Sequence, residues 1–247
     1  MRTSTRAILL SLALGGTGIF FGVWIVIWLL RGSYLTALIT LCVTIWAFGF
    51  AAYLAFASSG SARPRAEWGA SGTILRPQKR VDALFVAATS AIFLATVLYL
   101  GFSSLDMLDY VPSGVMRGLV PAGCVALALF GGPTLYRMFK YRGGSHLRLD
   151  PRGFEVWEGQ WNSFMVGTWD EVEQILDQPT RGGKPFHEVI VFALSRGRST
   201  KLVADTITGN SNALREWVRF YWQHPEHRAE LTDGRAMQRL DEEKFAA

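Results

Sequence analysis

The sequence predicts an α-helical integral membrane protein: four transmembrane helices, then a small cytoplasmic α+β domain of antiparallel sheet and terminal helix. Three observations predict it. Long uncharged apolar runs dominate the chain up to about residue 140. The segment Ser58 to Arg80, between the second and third runs, carries Arg63, Arg65, Arg76, Lys79 and Arg80 against Glu67 alone. Past Tyr141 the pattern changes to short alternating segments, the period-two signature of strands.

The spans are expected at about residues 7–30, 34–56, 82–102 and 118–137. Each is long enough for a hydrocarbon core that takes about 20 residues of helix to cross. The first run follows basic residues, Arg2 and Arg6, as a signal peptide would. It is too long for a signal peptide's apolar region and lacks a small-residue cleavage site, so it reads as an anchor. Little more than Arg31-Gly-Ser separates it from the second run, which makes the pair a tight hairpin. Trp24, Trp28 and Tyr34 cluster at that turn as an aromatic belt would. The later connection, Ser103 to Arg117, sets Asp106 and Asp109 against Arg117 alone.

Lysines and arginines accumulate on the cytoplasmic side of membrane proteins. Counting them by loop places the amino terminus, the basic segment and everything after Tyr136 inside, with Arg137, Lys140 and Arg142 closing the last span. The expected location is the cell membrane, multi-pass, with both termini cytoplasmic.

The span interiors hold no ionisable side chain, which disfavours an ion or proton pathway. They do hold small residues at four-residue spacing: Gly18 and Gly22 in the first span, and Ala83, Ala87, Ala91 and Ala95 in the third. Such stripes let helix backbones approach closely, within the bundle or against a partner protein. These six are the candidate partner-docking residues. Pro121, Pro133 and the pair Gly131-Gly132 are candidate kinks in the last span.

Beyond residue 145, His146–Asp150 and Phe154–Glu158 alternate around Asp150-Pro-Arg-Gly, which is turn chemistry. Further strands are expected at 161–168, 171–176, 187–194 and 200–203, two of them separated by the connection running from Gln178 to Pro185. Asn210 or Ser211 offers an N-cap, and Leu214, Trp217, Val218 and Tyr221 recur at i, i+3, i+4 and i+7, an amphipathic helix that stops near Pro225. The sheet-and-helix domain is thus expected over 145–225. Residues 226–247 are mixed in charge and read as a frayed polar tail or a short solvent-facing helix.

The pattern Leu147-x-Leu149, a turn ending at Gly153, Phe154-x-Val156, then Trp169-Asp-x-Val172 and a terminal helix resembles the bacterial pleckstrin-homology-like domain. The helix and its exit, Phe220-Tyr-Trp-Gln-His224-Pro225 through Leu231, are similar to the ends of actinobacterial proteins that join four spans to such a domain. The resemblance covers roughly residues 145–231. It implies a PH-like cytoplasmic domain and, since some proteins of that build are accessory subunits, a place in a membrane assembly such as an Mce-type lipid importer.

Motifs for chemistry are missing. The sequence has no Gly-x-x-x-x-Gly-Lys, no His-Glu-x-x-His and no Gly-x-Ser-x-Gly. His224 and His227 are three apart, but Pro225 breaks the helical geometry a metal pair would need. Cys42 and Cys124 fall inside apolar runs and read as small buried hydrophobes, not a disulfide framework. Asp106 and Asp109 read as a polar turn. The cations that flank apolar runs are explained by membrane retention, so nucleic acid is not an expected partner. No enzyme activity, metal or cofactor is expected.

One basic constellation stands out: Arg148 and Arg152 at the first hairpin turn, with Arg196, Arg198 and Lys201 at a later one. These five are the candidate lipid head-group residues, since cations near an anionic leaflet attract it. The leading expectation is a non-catalytic accessory or scaffold subunit docked on a larger membrane complex, a lipid-transport system by resemblance. The alternative is a membrane-tethered sensor of anionic head groups. A third reading, a transporter or membrane enzyme, requires Thr17, Thr40, Thr44, Thr89 and Ser90 to converge on a cavity.

Overall fold

A computed structural model describes residues 5–110, 112–178 and 187–245. The chain forms two compact units. One comprises Ile8–Ala55 and Ala83–Lys140; the other comprises Phe56–Asp82 and Tyr141–Ala247 together with the amino-terminal residues through Ala7. Most of the Gln178–Pro185 connection, and Arg2, lie outside the described residues.

The first unit is helical. α1 (Thr5–Leu30), α2 (Tyr34–Ser58), α3 (Lys79–Ser103) and α4 (Met116–Tyr141) supply it, and all four are long and apolar enough to cross a membrane. The chain is therefore a multi-pass membrane protein by length and composition. α4 stays helical through Pro121 and Pro133. α2 and α3 meet where Gly49 faces Ala88: a Cβ on Gly49 would lie 2.9 Å from that of Ala88. Cys42, Ala91 and Ala95 extend the same seam, flanked by Ile39, Val43 and Trp46.

The second unit holds two antiparallel sheets. Its strands are β1 (Arg65–Gly69), β2 (Gly72–Arg76), β3 (Ser145–Leu149), β4 (Gly153–Glu158), β5 (Ser163–Thr168), β6 (Val172–Leu176), β7 (Val189–Leu194) and β8 (Ser199–Val203). The first five form one meander in chain order and the last three a second sheet. Alternation on β3 and β4 sends Leu147, Leu149, Phe154 and Val156 into the space between the sheets, where Phe154 stacks on Phe192 at 4.5 Å. α5 (Ser211–Gln223), capped by the Asn210 side chain on the Ala213 N–H, adds Leu214, Trp217, Val218 and Tyr221 to that core.

Two features differ from the sequence-based expectation. The basic segment 58–80 contains the hairpin β1–β2, whose second strand pairs with β3 in the register Thr73↔Leu149, Ile74↔Arg148, Leu75↔Leu147. The helical hairpin α3–α4 is thus inserted between two hydrogen-bonded strands, and the sheet domain is not confined to the residues after 145. Each of these strands is five residues long, and the basic character that flags the segment as a loop sits at its ends.

The residues after 225 also pack. A 3-10 segment (Pro225–Thr232) and α6 (Arg235–Asp241) bury Leu231, Ala236, Met237 and Leu240 in the same core as α5. The backbone carbonyl of Leu231 accepts from the Thr73 hydroxyl at 2.7 Å, and that of Ala236 from the Trp217 indole at 2.8 Å. Glu230 fixes the turn, accepting from Nε and Nη2 of Arg239 at 2.9 Å and from the Tyr221 hydroxyl at 3.0 Å. A charged surface hides four apolar residues that occupy one side only.

Candidate functional site

The small-residue stripe divides. In α3, Ala91 and Ala95 are buried, but Ala83 and Ala87 are exposed. Four-residue steps advance about 40° past a full turn each, so a stripe of four drifts across the helix face. Ala88, Ala91 and Ala95, at mixed three- and four-residue spacing, form the face that α2 meets. In α1, a Cβ on Gly18 would sit 3.0 Å from the Phe48 ring, whereas Gly22 has nothing within 4 Å. The described bundle therefore uses Gly18, Ala91 and Ala95 internally, and leaves Gly22, Ala83 and Ala87 open.

Three of the polar span residues turn back on their own helices. Thr17, Thr40 and Thr44 each donate to the carbonyl four residues back in their own helix, at 2.9, 2.7 and 2.9 Å. This is the usual resting place of a helical threonine in apolar surroundings.

Strand direction sorts the basic residues. The chain enters β1 at Arg65, leaves β2 at Arg76 for α3, and returns from α4 into β3 at Ser145; Arg65 pairs with Arg76, and Glu158 with both Ser145 and Ser163, so that all five lie at one end of the sheet. Arg148 and Arg152 lie toward the other end, beside an open hollow of about 370 Å³ that Val166, Thr168 and Glu171 also line. Arg198 joins them by pairing with Glu171 at 2.8 Å. Carboxylates accompany these cations: Asp150 and Glu155 lie 3.8 and 3.7 Å from Arg148. Arg196 is exposed in the β7–β8 turn at φ +63°. Lys201 lies apart, 5.8 Å over the Trp161 ring at the β4–β5 turn. The five do not form one patch.

What sequence reasoning missed is the junction at the connecting end. Arg65 donates to Asp82 at 2.6 Å and to the Pro77 carbonyl at 2.7 Å. The second Asp82 oxygen accepts the Gly144 N–H at 3.1 Å, and Arg76 donates to the Tyr141 carbonyl at 2.6 Å. Gly143 adopts φ +158° against Asp82 and offers its carbonyl to the Trp157 indole at 3.0 Å; Gly144 accepts the Gly159 N–H at 2.8 Å. The Tyr141 ring stacks on Phe164 at 4.7 Å. One carboxylate and two guanidinium groups therefore tie together the start of β1, the departure into α3 and the return from α4. The available signal was Asp82 itself, the lone acid at the head of an apolar run.

Beside this junction, Glu158 is buried and accepts N–H groups from Val203 of the second sheet at 3.0 Å and from Gln160 at 3.2 Å. Burial pushes its carboxyl up to about 7 against those two hydrogen bonds. His187 pairs with Asp205 at 3.0 Å nearby. His224 packs on Phe220 and His227 contacts Glu230, and among the described residues no group of three or more His, Cys, Asp or Glu could hold a metal ion.

Comparison with protein-family models, curated proteins and solved structures finds no match to this chain.

Proposed function

We propose that the protein is a non-catalytic accessory subunit of a larger membrane complex, its bundle docking laterally and its sheet domain joined to that bundle by three chain crossings. The observation that carries this reading is the insertion of α3–α4 between β2 and β3, closed by the Arg65–Asp82–Gly144 clamp. A sheet fastened to its anchor through three chain crossings suits a part that holds position. A freely tethered reader of soluble ligands would need only one crossing. Open small residues at Gly22, Ala83 and Ala87 offer close-approach surface for a partner helix.

The excess of lysine and arginine in the 58–80 segment and after Tyr136 supports a cytoplasmic place for the sheet domain. We read that domain as a variant of the pleckstrin-homology-like fold, an antiparallel sheet closed by a helix, carrying two spans as an insertion. Resemblance to actinobacterial four-span proteins suggests lipid transport as the system served. Head-group sensing through Arg148, Arg152 and Arg198 is the weaker reading, because Asp150, Glu155 and Glu171 share their end of the sheet.

The test is recovery of the tagged full-length protein from its native membrane in mild detergent, read by mass spectrometry. A stoichiometric membrane complex supports the reading, and loss of that complex in Ala87→Leu would place its contact on α3. Recovery of the protein alone overturns it.

A further inference from the structure

Trp161 is 43% exposed at the tip of the β4–β5 turn, with the Lys201 ammonium over its ring. The turn is fastened to the point where the chain comes back from α4: Gly159 donates to Gly144, three residues after Tyr141 ends the helix, and Tyr141 itself stacks on Phe164 in β5. Around the neighbouring crossings Arg63, Lys79, Arg80 and Arg142 are exposed. Most carboxylates there are withdrawn: Asp82 is held by Arg65 and the Gly144 N–H, Glu158 is buried on backbone N–H groups and Asp205 pairs with His187, leaving Glu188 exposed.

We infer that this rim is a second membrane contact, in which Trp161 enters the head-group layer of the leaflet that α4 leaves and Lys201 with the four exposed cations binds its anionic lipids. Indole rings prefer that layer because one edge is apolar and the other donates a hydrogen bond. Clustered cations beside a span are drawn to an anionic surface. The occupant is fixed by chain connectivity, since α4 ends three residues before the Gly144 carbonyl that holds the turn. Its role is separate from any docking by the bundle.

The test uses full-length protein in liposomes of phosphatidylcholine and phosphatidylglycerol, with Cys42 and Cys124 replaced by alanine. A fluorophore is placed through Trp161→Cys or, as a control that keeps the indole, Gln160→Cys. A third variant, Arg152→Cys, reports on the opposite end of the sheet. Lipid carrying a head-group spin label should quench the two rim positions at least about threefold more than position 152, and the difference should shrink in phosphatidylcholine alone or with Lys201→Glu. Equal quenching at both ends overturns the inference. So does a rim position that is unquenched in liposomes and shielded only in a complex recovered from native membrane, which would make the rim a protein interface.

Discussion

Thr73 and Leu149 are partners in the β2–β3 ladder, although the whole of α3 and α4 lies between them in the chain. A sheet that closes across two spans forms only once both have returned to the same side, so folding of the domain is coupled to insertion of the hairpin.

The turn before that ladder is intolerant of side chains. Gly72 adopts φ +104°, and a Cβ there would collide with the Leu149 carbonyl. Gly72→Ala should cost about 2–4 kcal/mol through left-handed strain and lost pairing, seen as protease sensitivity of the detergent-solubilised protein. Gly32, also at positive φ but with nothing within 4 Å, should accept alanine at about 1 kcal/mol.

The helix seam makes a paired prediction. Gly49→Leu must displace Ala88 and should destabilise the bundle by about 1–3 kcal/mol. Ala87→Leu, one position away on the exposed side of α3, should leave the thermal stability of the purified protein unchanged.

Glu158 sets a pH dependence. Its folded-state carboxyl titrates near 7 against an ordinary 4.5, so the folded protein binds the proton more tightly than the unfolded chain. Stability from this group is complete below pH 4.5 and falls as pH rises toward 7, by on the order of 3 kcal/mol. Glu158→Gln should flatten that slope in thermal unfolding between pH 5 and pH 8. Its amide has one acceptor where the carboxyl serves two N–H groups, so at low pH the variant should be weaker by about 1 kcal/mol.

The carboxy-terminal lock is next. Arg239 chelates the largely buried Glu230 and lies 4.2 Å over the Phe220 ring. Arg239→Ala should cost about 1–3 kcal/mol by removing the cation of that carboxylate, which keeps Tyr221 and His227. Hydrogen exchange should rise in α6 and at Thr73, whose hydroxyl the same segment receives.

Much of this was legible in the sequence, and the gaps have physical causes. Uninterrupted apolar runs gave the four helices, and alternation at Leu147, Leu149, Phe154 and Val156 gave β3 and β4. The i, i+3, i+4, i+7 spacing gave α5. β1 and β2 escaped because their terminal arginines, Arg65 and Arg76, resemble topology signals when they are in fact hydrogen-bonding to the junction. α6 escaped because Ala236, Met237 and Leu240 are few among charges, and only the α5 surface reveals that they have somewhere to pack. The arginine constellation was read from two turns, and Arg198 of the later one does reach Glu171 beside Arg148 and Arg152, but pairing register, which the sequence does not state, sets Lys201 apart over Trp161.

The insertion of α3–α4 into one continuous sheet is tested most directly by sidedness. Single cysteines replacing Ser71 and Pro151, at the exposed β1–β2 and β3–β4 turns, and Ser104, in the α3–α4 connection, would be probed in a background with Cys42 and Cys124 changed to alanine. Membrane-impermeant maleimide applied to intact cells and to inverted vesicles reports the side of each. The account predicts that positions 71 and 151 react from the same side and position 104 from the other. Reaction of 71 and 151 from opposite sides would contradict it.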